Sequence, residues 1–151
     1  MKKLALILIV VLATVVVATA QGGNKKPASP SWATLQQWAD AEVKSGGIYG
    51  RDWGEASPKL KWISKQMILM KFGANGWRAL CFAQRESGLN PAALSRTNDH
   101  HLFQLNWSAH HNTFDYERLD RYDVGYGIQA AFSLSRGGRD FSPWAGGTYS
   151  C

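Results

Sequence analysis

A glutamate at the end of a helix-like segment has the clearest potential for chemistry in this chain. Glu86 follows the apolar run 77–84, and Ser87 and Gly88 come after it as a helix stop. A carboxylate in that position is partly buried and faces the negative end of the helix dipole, and both effects disfavour its ionisation. A carboxylic acid that stays protonated near neutral pH is a general acid, and it suits protonation of the leaving oxygen of a glycosidic bond.

Four helices are predicted to position this glutamate. Apolar residues at helical spacing place these helices at 32–44, 59–72, 77–87 and 124–136. Start signals occur at Ser31, Ser57-Pro58 and Asp123, and glycines serve as stops. Trp62 and Trp77 occupy helical core positions. Residues 48–58 are predicted to be loop, 98–106 holds at most a small hairpin, and 141–144 is expected to pack back as an aromatic corner. The fold class is therefore mainly α, and α+β at most.

The first twenty residues are predicted to be an export signal. Lys2 and Lys3 form a basic start, Leu4 to Val17 is an apolar stretch too short to span a bilayer comfortably, and Ala18-Thr19-Ala20 fits the small-x-small cleavage rule. The alternative is an uncleaved membrane anchor. Residues 21–31 are predicted to form a flexible leader. We therefore expect a secreted, periplasmic or otherwise extracellular protein.

The charge balance indicates an anionic partner. The chain of 151 residues has 17 Lys and Arg against 11 Asp and Glu, a net charge of +6. Removing residues 1–20 takes away Lys2 and Lys3 and no acid, which leaves +4. Such a charge suits a bacterial wall, whereas nucleic acid is disfavoured because the basic residues are scattered.

Two cysteines are predicted to form one disulfide in an exported chain. A Cys81–Cys151 bond would tie the C-terminus to the helix of Glu86. Closing a loop of that length contributes roughly 4 kcal/mol on the chain-entropy view. The alternative is two free thiols, one buried and one at a frayed terminus.

The order of motifs from 59 to 144 resembles the lysozyme-like superfamily. A helix ending in Glu-Ser-Gly is followed by Asn-Pro-x-Ala, a polar turn, Leu-Phe-Gln-Leu-Asn, a helix with paired Ala, Gly-Gly and Pro-Trp. The similarity is closest to small muralytic proteins of bacteria and phages, and extends to lytic transglycosylases and chicken-type lysozymes. It implies a lysozyme-like fold in which helices surround a glycan-binding cleft. The catalytic domain would be 59–151, preceded by a helix and loop at 32–58.

The resemblance implies a role for individual residues. Glu86 matches the general acid and base that cleaves the β-1,4 bond between N-acetylmuramic acid and N-acetylglucosamine. Asp99 lies where chicken-type lysozymes carry a second carboxylate, but it equally suits an ordinary turn, and both roles stay open. The substrate-binding residues would be Ser87 beside the acid, Gln104 and Asn106 on the cleft floor, Trp107 as a stacking ring, and Tyr126. Leu102 and Phe103, in the same run, are expected in the core.

Two positions depart from the family pattern. His101 stands where the family usually has glycine, so that sugar binding beside it is in doubt. Gly127 stands where relatives often carry asparagine, which removes a support for the cleft. These departures keep a second interpretation open, in which the fold binds the cell wall or serves a structural role without cleaving it.

Several further questions stay open from sequence. Hydrolysis and transglycosylation are not separated, and a cationic membrane-active protein is a third interpretation, although no strongly basic amphipathic helix supports it. No cofactor is implied, and no metal, because the histidine pairs 100–101 and 110–111 lack a ligand spacing. We expect peptidoglycan as the partner of a monomeric chain, with no nucleic acid and no stable membrane insertion after signal removal.

Overall fold

The structure, a computed structural model, describes residues 28–50, 54–144 and 151. The α-helices of this part are α1 (Trp32–Lys44), α2 (Pro58–Phe72), α3 (Gly76–Ser87), α4 (Trp107–His110), α5 (Tyr116–Asp120) and α6 (Val124–Leu134). The strands are β1 (Ile48–Tyr49), β2 (Glu55–Ala56), β3 (Asp99–His100) and β4 (Leu105–Asn106), and short 3-10 turns lie at Gly73–Asn75 and Ser142–Trp144. The prediction of a mainly α class is confirmed. The predicted signal at 1–20 and most of the leader at 21–31 lie outside the described residues.

The predicted helix starts are confirmed by their caps. The Ser31 hydroxyl accepts a hydrogen bond from the Thr34 N–H at 3.1 Å, and the Ser57 hydroxyl accepts one from Leu60 at 3.0 Å. Pro58, which has no N–H to satisfy, occupies the first turn of α2. These local signals fix where α1 and α2 begin, and α2 then packs against α1, α3 and α6.

The helices that flank the site end and begin at specific residues. Gly88 terminates α3 in the left-handed region at a φ of 63°, and its N–H bonds the Gln84 carbonyl at 2.9 Å. Asp123 caps α6 by accepting from the Tyr126 N–H at 3.0 Å. The α6 helix stops at Leu134, two residues before the predicted end at Arg136.

The core predictions for two tryptophans are wrong. Trp62 is 48% exposed and Trp77 is 68% exposed. The buried face of α2 consists of Leu60, Ile63, Ser64, Met67, Ile68 and Phe72. The apolar residues of α2 extend beyond this face, so that Trp62 falls outside it and remains at the surface.

Short elements account for the other differences from the sequence prediction. The predicted loop 48–58 contains an antiparallel pair in which Ile48 faces Ala56 and Tyr49 faces Glu55. The small hairpin expected between 98 and 106 is present, with Asp99 opposite Asn106. The α4 and α5 helices were not predicted, because four or five residues are too few to show a helical period.

The C-terminal segment packs back as predicted. The rings of Phe82 and Phe141 stack with centroids 5.1 Å apart, and the Trp144 indole N–H donates to the Phe103 carbonyl at 2.6 Å. A disulfide joins Cys81 to Cys151, which confirms the predicted pairing. Among the described residues, no helix combines the length and apolar character needed to cross a bilayer.

Candidate active site

A cleft of about 470 Å³ lies between the C-terminal end of α3 and the β3–β4 hairpin. Its walls are formed by Arg85, Glu86, Asp99, Gln104, Asn106, Pro143 and Trp144. The packing of Ala79, Phe82 and Ala83 into the core fixes the rotation of α3. This rotation places the Glu86 side chain at the cleft with about a quarter of it exposed (24%). Four residues singled out from sequence therefore line one cavity.

Arg85 forms an ion pair with Glu86 that was not anticipated from sequence. Its Nη2 lies 2.6 Å and its Nε 3.1 Å from the same carboxylate oxygen, Oε1. The guanidinium also donates to the Trp144 carbonyl and lies over the Phe82 ring, 4.8 Å from the ring centroid. Within the described part of the chain, no donor reaches Glu86 Oε2. One oxygen of the candidate acid is thus held by arginine, and the other accepts no hydrogen bond from a described residue.

Asp99 is an anchored carboxylate in the β3 strand. Its Oδ2 accepts hydrogen bonds from the Ser95 hydroxyl at 2.6 Å and the Thr97 hydroxyl at 2.5 Å, and its Oδ1 accepts from the Asn106 amide at 2.6 Å. Burial raises the pKa of Asp99, but the three hydrogen bonds and the nearby His100 lower it by more. The net result is a pKa below the usual value, so that Asp99 is charged at neutral pH.

Gln104 presents an acceptor to the cleft rather than a donor. Its Nε2 donates to the carbonyls of Ala93 at 3.2 Å and His101 at 3.1 Å, which uses both amide hydrogens. No described residue donates to Oε1, which is left to accept from a ligand. The backbone of Gln104 has a φ of 50°, and these two hydrogen bonds help to hold that unusual conformation.

Asn106 positions its neighbours and has no amide hydrogen left for a ligand. One hydrogen bonds Asp99 Oδ1, the other bonds the Thr97 carbonyl at 3.2 Å, and Oδ1 caps α4 by accepting from the Ala109 N–H at 2.9 Å. The predicted donation to a sugar therefore requires one of these bonds to break. The geometry favours a role in orienting Asp99.

Ser87 is likewise committed to the protein. Its hydroxyl lies 2.8 Å from the Leu102 carbonyl and 3.1 Å from the Ala83 carbonyl, and it accepts from the Asn90 N–H at 3.2 Å. It forms no hydrogen bond with Glu86, in contrast to the predicted orienting role. The bond to Leu102 instead ties the end of α3 to the segment that follows β3.

The two departures from the family pattern lie in direct contact. The His101 side chain is 1% exposed, and a Cβ added at Gly127 would lie 1.9 Å from its Nδ1. The imidazole therefore occupies the space that any larger residue at 127 would need. Since the ring is buried against α6 and is not part of the cleft wall, the expected obstruction of sugar binding by His101 is not seen.

The buried imidazole is unusual because neither ring nitrogen has a hydrogen-bond partner among the described residues. Burial lowers the pKa of His101 to about 3, although Asp123 opposes the shift. The ring is therefore neutral at physiological pH. Its backbone has a φ of 71°, which histidine tolerates better than most residues.

Trp107 and Tyr126 are not brought to the cleft. Trp107 begins α4, is 42% exposed, and stacks on His111 with ring centroids 4.6 Å apart. The Tyr126 hydroxyl accepts from the Asp115 N–H at 2.6 Å, and the ring lines a separate cavity of about 680 Å³ beside Arg118. Any contact of either residue with the same ligand would need a ligand that extends beyond the cleft.

Sequence reasoning missed three of the residues that line the cleft. Pro143 and Trp144 were predicted as part of an aromatic corner, but their place at the cleft depends on how that corner packs. Arg85 had a detectable signal, a basic residue next to the candidate acid. In the described part of the chain, no group of three or more His, Cys, Asp or Glu side chains is arranged to hold a metal ion.

Comparison with known proteins gives no match. No family model, no curated protein and no solved structure matches this chain.

Proposed function

We propose that this protein is an exported enzyme that cleaves the β-1,4 bond between N-acetylmuramic acid and N-acetylglucosamine in peptidoglycan. The observation that carries the proposal is the convergence of Glu86, Asp99 and Gln104 on one cleft. The order of motifs in the sequence alone predicted that these residues act together. Residues that act together on one substrate must line the same cavity. The resemblance to lysozyme-like muralytic proteins supplies the substrate class.

In this proposal Glu86 delivers a proton to the oxygen of the scissile bond. Oε2, which has no donor among the described residues, would deliver the proton, while Oε1 accepts from Arg85. The Gln104 Oε1 is placed to accept a hydrogen bond from the N–H of an acetamido group.

Asp99 suits electrostatic stabilisation of the positive charge that develops on the sugar ring. It is charged at neutral pH, and three donors hold it in one orientation. A transglycosylase needs no such group, because the C6 hydroxyl of the sugar attacks and an anhydro product forms. Our proposal leaves both reactions open, and the two give different products.

The ion pair also supports a second candidate function, a wall-binding module without cleavage. Arginine engages Oε1 of the Glu86 carboxyl group at 2.6 Å. A protein that kept this pair with the glycan bound would hold the strand without cutting it. His101 no longer supports this candidate, since its ring is buried away from the cleft.

Mass spectrometry of digested, purified peptidoglycan separates these possibilities. Fragments with reducing ends would indicate a hydrolase, and fragments with anhydro-muramic ends would indicate a transglycosylase. Binding to the polymer without release of soluble fragments would establish the wall-binding module instead.

A further inference from the structure

Each of the helices α1, α2 and α3 exposes a tryptophan at the protein surface. Trp38 on α1, Trp62 on α2 and Trp77 on α3 are 42%, 48% and 68% exposed. Trp38 and Trp62 form the walls of a groove of about 290 Å³, which Ala41, Lys59 and Ile63 complete. Large aromatic side chains grouped at a surface commonly mark an interaction site.

The stretch 57–85, which holds Trp62 and Trp77, contains basic residues and no acidic ones. No Asp or Glu occurs between Ala56 and Glu86, whereas six basic residues do: Lys59, Lys61, Lys65, Lys71, Arg78 and Arg85. Lys59 and Lys61 pair with Glu42 and Glu55, which come from other elements, at 2.6 and 2.7 Å. Lys65 forms no ion pair with a described residue, and its Nζ lies 5.5 Å from the centroid of the Trp77 ring. A cation with no ion-pair partner among the described residues thus lies beside Trp77, the most exposed of the described indoles.

This face points away from the candidate active site. Trp77 and Glu86 both belong to α3 and are nine residues apart. Nine residues correspond to about two and a half helical turns, so the two side chains leave opposite sides of the helix, roughly 14 Å apart along its axis. Lys65 lies over the Trp77 ring and is three residues from Trp62 on α2, and Trp62 shares a groove with Trp38, so these residues form a surface separate from the cleft.

We propose that this tryptophan–lysine face, Trp38, Trp62, Lys65 and Trp77, binds the surface of an anionic lipid bilayer. Indole rings favour the headgroup level of a membrane, where the ring lies in an apolar layer and the N–H stays wet. Lysine extends from such a layer towards anionic headgroups. The binding is peripheral, consistent with the lack of a membrane-crossing helix among the described residues.

A sugar is a poorer occupant of the groove than an acyl chain segment. A glycan site needs several polar groups that converge on hydroxyls, but Lys59 is the polar side chain among the groove residues and it is engaged by Glu42. The apolar walls and the uncompensated Lys65 match the two parts of an anionic lipid, its acyl region and its headgroup. This inference is independent of the cleavage chemistry proposed for Glu86.

The test measures binding of the protein to lipid vesicles by flotation. One set of vesicles contains phosphatidylcholine alone, and the other contains equal parts of phosphatidylcholine and phosphatidylglycerol. The protein used begins at Gln21, because the apolar stretch Leu4 to Val17 would enter a bilayer by itself. The described buried core runs from Leu35 to Trp144, so this form retains the whole of it. We expect binding to the anionic vesicles that salt weakens, and a blue shift of tryptophan fluorescence on binding.

Variants identify the surface. Replacing both Trp62 and Trp77 by alanine should weaken binding about tenfold or more, since both side chains lose contact with the bilayer. Lys65→Gln should weaken it about fivefold, as expected for one basic residue at an anionic surface. The control substitutions Trp107→Ala and Lys44→Gln alter exposed residues outside this face. Proteins that carry them should bind the anionic vesicles as the unsubstituted protein does.

The proposal is wrong if anionic vesicles bind no better than neutral ones, or if the substitutions in the face and the control substitutions behave alike. It is also wrong if the face variants lose binding to purified peptidoglycan and keep binding to vesicles, which would assign the face to a glycan. Lys65→Gln decides the matter if the double tryptophan variant does not fold. Glu86→Gln should bind vesicles normally, which separates this test from that of the cleavage proposal.

Discussion

At the scale of single residues, the site combines a candidate acid that was expected with contacts that were not. Helix and stop signals in the sequence are enough to place Glu86 at the end of α3. The bond of Ser87 to the Leu102 carbonyl and the bond of Asn106 to Asp99 depend on rotamers and on contacts between separate segments, which no local pattern encodes. The amide of Asn106 illustrates this: it was expected to face a sugar and instead holds Asp99.

The buried His101 predicts a pH dependence of stability. Its pKa falls from 6.5 to about 3 on folding, so the unfolded chain binds more protons than the folded chain between these values. Stability contributed by the neutral ring is complete above pH 6.5 and is lost as the pH falls. We expect this residue to reduce the free energy of unfolding by roughly 1.4 kcal/mol for each pH unit from 6.5 down to about 3.

Urea denaturation at a series of pH values measures this slope. His101→Asn, which tolerates the same backbone conformation and does not titrate, should flatten the dependence between pH 6 and 4. His111→Asn removes an exposed histidine and should leave the slope of the unsubstituted protein unchanged. An equal slope in all three proteins would show that His101 is not the source.

At the scale of elements, the sequence predicts helices well and very short elements poorly. Caps at Ser31, Ser57 and Asp123 and the stop at Gly88 are local chemical signals, and each lies where the structure has it. Each strand of the β1–β2 pair has only two residues, too few to show an alternating pattern. The pairing joins residues that are six to eight positions apart in the sequence. The burial of Trp62 and Trp77 was mispredicted because spacing alone does not say which part of a broad apolar face becomes the core.

The contact between His101 and Gly127 joins the segment after β3 to α6, and it predicts energetic coupling. Gly127→Ala should destabilise the protein by about 2 to 3 kcal/mol, because the new Cβ would overlap the imidazole. In a His101→Gly background the same substitution should cost little. Urea denaturation of the four proteins gives the coupling energy.

A glycine elsewhere supplies the control for this cycle. Gly73 has a φ of 54°, and a Cβ added there would have no atom within 4 Å, so Gly73→Ala is strained for a local reason only. Its cost should be the same with and without His101. Additive costs for His101→Gly and Gly127→Ala would contradict the direct contact.

At the scale of the whole molecule, the mainly α class follows from composition and periodicity, and the position of the cleft follows from packing. The cleft wall at Trp144 exists because the C-terminal segment returns to Phe82 and Phe103. No single segment of sequence contains that information. The Cys81–Cys151 disulfide further secures the C-terminus to α3, the helix that carries Glu86.

The disulfide should therefore contribute substantially to stability. Replacing both cysteines by serine is expected to lower the free energy of unfolding by about 2 to 5 kcal/mol, because the unfolded chain gains conformational freedom. Urea denaturation with and without reductant measures the effect. Reductant should destabilise the unsubstituted protein and leave the double serine variant unchanged, and equal stability of the two proteins under oxidising conditions would contradict this account.

The cleavage proposal as a whole depends on Glu86, and the release of soluble fragments from purified peptidoglycan by Glu86→Gln tests it most directly. The glutamine keeps the shape of the side chain and cannot donate the proton, so we expect release to fall about 100-fold or more. Glu117→Gln, which changes an exposed glutamate on α5, should release fragments at the unsubstituted rate. Release by Glu86→Gln at that same rate, with both variants folded, would contradict the assignment of Glu86 as the acid.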